Sequence, residues 1–113
     1  MKKIPYGKQF IDSQDILSVQ NSLKEELITT GKYVEKFEKE FVKFTKSKFA
    51  ISCNSGTSAL HLALSSINLK KNDIIIMPAI NFIAVYNMSN LLGAKIYLAD
   101  VDSLTGQMTP STL

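Results

Sequence analysis

The residues with the most chemical potential lie close together: Ser52-Cys53-Asn54-Ser55-Gly56-Thr57-Ser58, followed by His61. Short hydrogen-bonding side chains surround one glycine. They stand immediately before a helical apolar pattern at Ala59, Leu60, Ala63, Leu64 and Ile67. A helix N-terminus exposes unpaired N–H groups and carries roughly half a positive charge. Two readings of this stretch stay open. Ser and Thr are ordinary helix caps. The same junction, placed after a strand, is also a ready site for an anion, most often phosphate. Cys53 reads as a small buried hydrophobe rather than a nucleophile, because no base pattern accompanies it. His61 reads as a packed, internally bonded histidine rather than a catalytic one. Asp100 and Asp102 could pair as acid and base, but a strand-end turn is the preferred reading. One Cys and one His leave no metal cluster to argue and exclude an internal disulfide.

The elements that must position these residues are legible from their punctuation. Pro5 and Gly7 keep residues 1–11 extended and irregular. Asp12 and Asp15 have capping-box spacing, and Ile16, Val19, Leu23 and Leu27 form a helical stripe, so a helix is predicted to run to about Leu27. Ile28-Thr29-Thr30-Gly31 reads as a turn. A second amphipathic helix carries Val34, Phe37, Phe41 and Phe44 on its apolar face. Glu35, Lys36, Glu38, Lys39, Glu40 and Lys43 fall on the wet one. The four phenylalanines between 37 and 49 are expected in the core. From Lys48 the pattern changes to a strand (Phe49–Ser52), the Ser/Gly/Thr turn, a helix (Thr57–Ile67) and a strand at Ile74–Met77 buried on both faces and stopped by Pro78. A helix capped by Asn81 and ended by Gly93 follows, then a strand at Lys95–Ala99. Ser103–Leu113 reads as loop.

The order after residue 48 is β-α-β-α-β, which predicts parallel strands and an α/β domain. Residues 1–47 then form an arm and two helices, and residues 48–113 the start of the α/β domain. Apolar parallel strands need cover on both faces, which leads to the expectation that the chain is the front of a longer protein. Ligand sites in such sheets lie at the carboxyl ends of the strands. That edge gathers Ser52–Ser58, Pro78–Phe82 and Asp100–Asp102, with the Phe82 ring placed to cover a flat ligand.

Composition narrows the function classes. The chain of 113 residues is 45% hydrophobic and 20% charged, enough to bury a core. A net charge of +3 spread along the chain gives no polyanion footprint, and the phenylalanines lack interleaved basic residues, so nucleic acid is not an expected partner. No segment reaches the ~20 apolar residues of a membrane span, and Met1-Lys2-Lys3 is not followed by an apolar run. A cytoplasmic location is expected.

Asn54-Ser55-Gly56-Thr57-Ser58-Ala59-Leu60-His61-Leu62-Ala63-Leu64 resembles a hallmark of the DegT/DnrJ/StrS-type nucleotide-sugar aminotransferases. Four further segments are similar to this family in the right order. They are Tyr6–Gln9, Thr29–Lys32 with Phe37-Glu38, Asp73–Pro78 with Asn81–Ala84, and Gly93–Lys95 with Asp100–Asp102. The closest-looking subgroup aminates UDP-linked 4-keto-6-deoxy-N-acetylhexosamines.

The resemblance implies the aspartate-aminotransferase-type fold and a pyridoxal-phosphate enzyme. In that enzyme glutamate donates an amino group to a nucleotide-linked keto-deoxysugar, within a homodimer. It implies that Gly56, Thr57 and Ser58 hold the cofactor phosphate, that Phe82 stacks on the pyridine ring, and that Tyr6, Ile28, Thr29, Thr30, Gly31 and Ser58 line the sugar-nucleotide site. Asn81 stands where the family usually has Thr or Ser. The family's cofactor-linking lysine and its pyridine-binding aspartate match no position here, so the chain alone is expected to be inactive. The alternative from another class is a small α/β module that binds a phosphate or nucleotide without catalysis. A remnant without activity is the third reading.

Overall fold

A computed structural model describes residues 4–5 and 7–113. It divides into two compact units, Met1–Ser52 and Cys53–Leu113.

The first unit holds two helices, α1 (Ser13–Ser22) and α2 (Lys32–Thr45). The predicted capping box opens α1. The Asp12 carboxylate accepts from the Gln14 and Asp15 N–H groups, and the Asp15 carboxylate accepts from the Asp12 N–H. The helix ends five residues short of the predicted Leu27. The Ser22 hydroxyl donates to the Val19 carbonyl, and the Lys24 and Glu25 N–H groups turn back to carbonyls three residues earlier. These tighter bonds close the last turn and stop propagation. Gly31 caps α2 with φ +132°, a conformation that a side chain rarely adopts, and its carbonyl accepts from Val34 and Glu35.

Two expectations about this unit are corrected. Phe37, Phe41, Phe44 and Phe49 are all exposed rather than core, Phe44 to 87%. Amphipathic spacing fixes which face is apolar, but not whether anything covers it. Phe49–Ser52 does not form a strand either. A strand exists only through a neighbour's hydrogen bonds, and these residues have no ladder partner among the described ones.

The second unit is α3 (Gly56–Ser66), β1 (Ile74–Pro78), α4 (Ala84–Leu91) and β2 (Lys95–Ala99). The strands pair in parallel, with Ile74 opposite Lys95 and Pro78 opposite Ala99. The sheet therefore has two of the three expected strands. The Ala79 N–H extends the ladder to the Ala99 carbonyl at 2.8 Å. Helix α4 packs on both α3 and β2. Its C-terminus is a Schellman motif: Gly93, φ +81°, donates to Asn90, and Ala94 donates to Ser89. Asn68, φ +59°, plays the same part after α3.

The core of this unit is small, consisting of Met77, Ala84, Ala94 and Ala99 with the fully buried Ser89. The Ser89 hydroxyl has no hydrogen-bond partner among the described residues. β1 is not buried on both faces as its composition predicts, because Ile74 and Ile76 remain exposed. Asn81 does not cap α4. Its side chain accepts from the Phe82 N–H, and the helix starts later, after Ile83, without a side-chain cap.

Candidate functional site

The turn into α3 is built from its own short side chains. The Ser55 backbone is extended, and its hydroxyl oxygen accepts from the Ser58 N–H at 3.1 Å. The Ser58 hydroxyl donates to the Asn54 side-chain oxygen at 2.7 Å and lies 3.0 Å from the Ser55 hydroxyl. The Ala59 N–H reaches the Ser55 carbonyl as the first bond of the helix. This leaves the Gly56 and Thr57 N–H groups without partners among the described residues. The first turn of α3 contains no acidic side chain, so the positive end of the helix is not neutralised from within.

Gly56 and Thr57 line an open cleft of about 550 Å³ together with Ala59, Leu60, Ala63, Phe82 and Ala84. The Phe82 ring is 73% exposed. It sits four residues beyond Pro78, at the carboxyl end of β1, where α/β sheets place ligands. The cleft thus brings Gly56 and Thr57, whose N–H groups have no partner among the described residues, beside the exposed Phe82. None of its lining residues has a titratable side chain.

The structure therefore unites three of the four residues expected to hold the cofactor: Gly56, Thr57 and Phe82. Ser58 is not at the cleft lining, and its N–H and hydroxyl are already engaged by Ser55 and Asn54. Gly56 has no positive φ, and a Cβ built there meets nothing within 4 Å. What its missing side chain offers is approach to the N–H, not backbone freedom. Sequence reasoning missed Ala59, Leu60 and Ala63 as lining, since it assigned these apolar positions to the helix's packing stripe.

In the first unit, Ile28, Thr30 and Gly31 line a cleft of about 330 Å³ with Leu23, Leu27 and Val34 among its walls. Thr29 is not among its lining residues, and Tyr6 lies outside the described residues. Lys32 and Glu25 form an ion pair of 2.7 Å there, and the hydrogen bond that the lysine donates to the Glu25 carboxylate raises the lysine's pKa.

Asp102 is engaged by its own turn. Its carboxylate accepts from the Thr105 N–H and hydroxyl, both at 2.9 Å, and from the Leu104 N–H at 3.1 Å. These bonds hold its pKa below the usual value, the Thr105 N–H foremost. Asp100 accepts from the Val101 N–H. Both are the strand-end turn the sequence favoured. Cys53 is exposed rather than buried, its thiol donating to the Ser55 carbonyl at 3.3 Å, and His61 is half-buried on α3. No helix among the described residues is long and apolar enough to cross a membrane.

The DegT/DnrJ/EryC1/StrS aminotransferase family model matches residues 9–113. A relative from Campylobacter jejuni subsp. jejuni serotype O:23/36 (strain 81-176) is 37% identical over 98 residues, covering 87% of this chain and 26% of its own length. It is a UDP-4-amino-4,6-dideoxy-N-acetyl-beta-L-altrosamine transaminase. Among solved structures, an aminotransferase from Psychrobacter cryohalolentis is 30% identical with a TM-score of 0.83, over 96% of this chain and 28% of its own. Escherichia coli GDP-4-keto-6-deoxy-D-mannose-3-dehydratase, solved with bound hydrated PLP, is 27% identical with a TM-score of 0.86, over 95% of this chain and 29% of its own. The chain thus spans little more than a quarter of the length of these relatives. With the match running from Gln9 to Leu113, the chain belongs to the DegT/DnrJ/EryC1/StrS aminotransferase family.

Proposed function

We propose that this chain is the amino-terminal part of a pyridoxal-phosphate-dependent aminotransferase that moves an amino group from glutamate to a nucleotide-linked keto-deoxysugar. The observation that carries the reading is the cleft shared by Phe82 with Gly56 and Thr57, whose N–H groups have no partner among the described residues. The residues fit the cofactor. Two unpaired N–H groups at a helix N-terminus suit a phosphate. An exposed ring suits a flat pyridine, and no carboxylate lines the cleft to repel the anion. When bound, the cofactor supplies the electron sink that amino transfer requires. This chain's residues bind and orient it. Gly56 and Thr57 donate to the phosphate, Phe82 covers one face of the ring, and Ala59, Leu60 and Ala63 give the cleft an apolar wall.

The 37% identical relative supports a UDP-linked 4-keto-6-deoxy-N-acetylhexosamine as the sugar. By its resemblance to the family, the turn at Ile28–Gly31 is assigned to the sugar nucleotide. The family supports a homodimer, and a single cysteine suits a cytoplasmic location. A binding module without catalysis is the second reading, and the absence of titratable side chains at the cleft favours it for the isolated chain.

Titration of the chain with pyridoxal phosphate tests this. Saturable binding that inorganic phosphate competes away is expected, with no amino transfer from glutamate. A shifted absorbance band that one lysine substitution removes would overturn the assignment of roles, because it would place the cofactor-linking lysine within these residues.

A further inference from the structure

Residues 79–83 connect β1 to α4 and carry Phe82 to the cleft. The connection is anchored at both ends. The Ala79 N–H donates to the Ala99 carbonyl at 2.8 Å, and the Asn87 N–H donates back to the Ile83 carbonyl at 3.0 Å. Ala84, the first residue of α4, is packed in the core. From Ile80 to Ile83 only one backbone N–H, that of Phe82, has a partner among the described residues. It donates to the Asn81 side chain at 2.7 Å. The acceptor there is the amide oxygen, because an amide NH2 group only donates. Phe82 and both of its neighbours are exposed, so little packing holds the ring. Its direction then depends on the backbone, since the rotamers open to a side chain follow from its φ and ψ.

We propose that Asn81 is a positioning residue for the Phe82 ring: its side-chain oxygen holds the Phe82 N–H, and so sets the backbone from which the ring reaches the cleft. Asn81 does not line the cleft itself, so it acts through Phe82 and not by touching a ligand. A ring fixed before the ligand arrives loses less freedom on binding. Released, the ring spends only part of its time in the covering arrangement, and affinity falls by that fraction. The inference rests on the reading of Phe82 as the cover of a flat ring. The helix does not depend on the bond, because α4 starts after Ile83 without a side-chain cap.

The test compares the full chain with Asn81→Ala and Asn81→Asp variants. Amide hydrogen exchange reads the bond directly. Phe82 in Asn81→Ala should exchange about fivefold faster, the effect of one ordinary hydrogen bond, while protection in α4 stays unchanged. Asn81→Asp keeps the acceptor in the same place and should restore the protection. Phosphorus NMR titration then compares pyridoxine phosphate with inorganic phosphate. The first adds a flat ring to the second, and it has no aldehyde for surface lysines to capture. The native chain should prefer pyridoxine phosphate. Asn81→Ala should narrow that preference by about threefold and leave inorganic phosphate alone, a smaller loss than removing the ring. In a Phe82→Ala background the same substitution should change nothing further, because the two residues act as one unit.

Unchanged exchange at Phe82 in Asn81→Ala, or a preference as large as the native chain's, would overturn the proposal. So would a loss shared equally by both ligands, or a further loss in the Phe82→Ala background. A native chain that binds the two ligands equally overturns the reading of Phe82 and the ligand half of the proposal together. One that binds neither overturns the cofactor site. In both cases the exchange result still decides whether Asn81 holds the backbone of Phe82.

Discussion

The N-termini of α1 and α3 obey the same backbone physics and end in opposite states. At α1 the chain fills its own donor set with charge. Asp12 takes the Gln14 and Asp15 N–H groups, and Asp15 takes that of Asp12. At α3 the cap is a neutral serine that takes only the Ser58 N–H, and no acid stands in the first turn. The first arrangement stabilises a helix with no buried residue. The second leaves two N–H groups without partners among the described residues, on residues that line a cleft with Phe82. A helix start is thus a binding site only where the sequence withholds the anion it could have supplied itself.

Converting the second kind of terminus into the first gives the largest expected effect. Thr57→Asp places a carboxylate in the first turn of α3, as Asp15 does in α1. Affinity for pyridoxal phosphate should fall on the order of a hundredfold, because like charges a few ångströms apart at a protein surface repel by several kcal/mol. Stability should move the other way, up by about 0.5 kcal/mol, since an acid near a helix N-terminus is favourable. Absorbance titration and thermal unfolding measure the two. A variant that loses both binding and stability would show that Thr57 matters for folding rather than for the ligand.

Phe82→Ala leaves the N–H groups in place and removes the ring. Binding of pyridoxal phosphate and pyridoxal should weaken together, by roughly fivefold, matching about 1 kcal/mol for one aromatic contact. Inorganic phosphate should bind as before, followed by phosphorus NMR. Equal loss for inorganic phosphate would mean that Phe82 shapes the turn rather than covering a ring.

Much of this contrast is legible in the sequence, because caps and stops are local chemistry. The Asp12–Asp15 box, the serine start of α3, Pro78 at the end of β1 and Gly93 after α4 all act through neighbours within four residues. What is not legible depends on distant partners. Phe49–Ser52 is apolar like a strand, but pairing is decided by a neighbouring segment, and none is present among the described residues. Phe37, Phe41, Ile74 and Ile76 have the right periods for burial, yet exposure depends on what covers them.

The helical period puts Glu38 on the wet face with Glu35 and Glu40. Its partner Ser52 lies fourteen positions away, and its spacing from Val34 and Phe41 is the one hint that it borders the apolar stripe. At the site, composition named the Ser/Gly/Thr turn but could not tell which donors stay free. That follows from the engagement of Ser58 with Ser55 and Asn54.

The smallest effect on ligand, and the sharpest check of the comparison, comes from α1. Asp12→Ala frees the Gln14 and Asp15 N–H groups and should lower the stability of α1 by about 1 kcal/mol, the usual cost of losing an aspartate cap. With ten residues and none buried, α1 depends heavily on its cap, so the loss should appear as faster amide exchange along Ser13–Ser22. Pyridoxal phosphate binding should not change. The freed terminus should still not bind inorganic phosphate, because the Asp15 carboxylate remains in its first turn. If Asp12→Ala did create phosphate binding, free N–H groups alone would suffice to make the site. The cleft and the Phe82 ring would then have no part in distinguishing α3 from any other helix start.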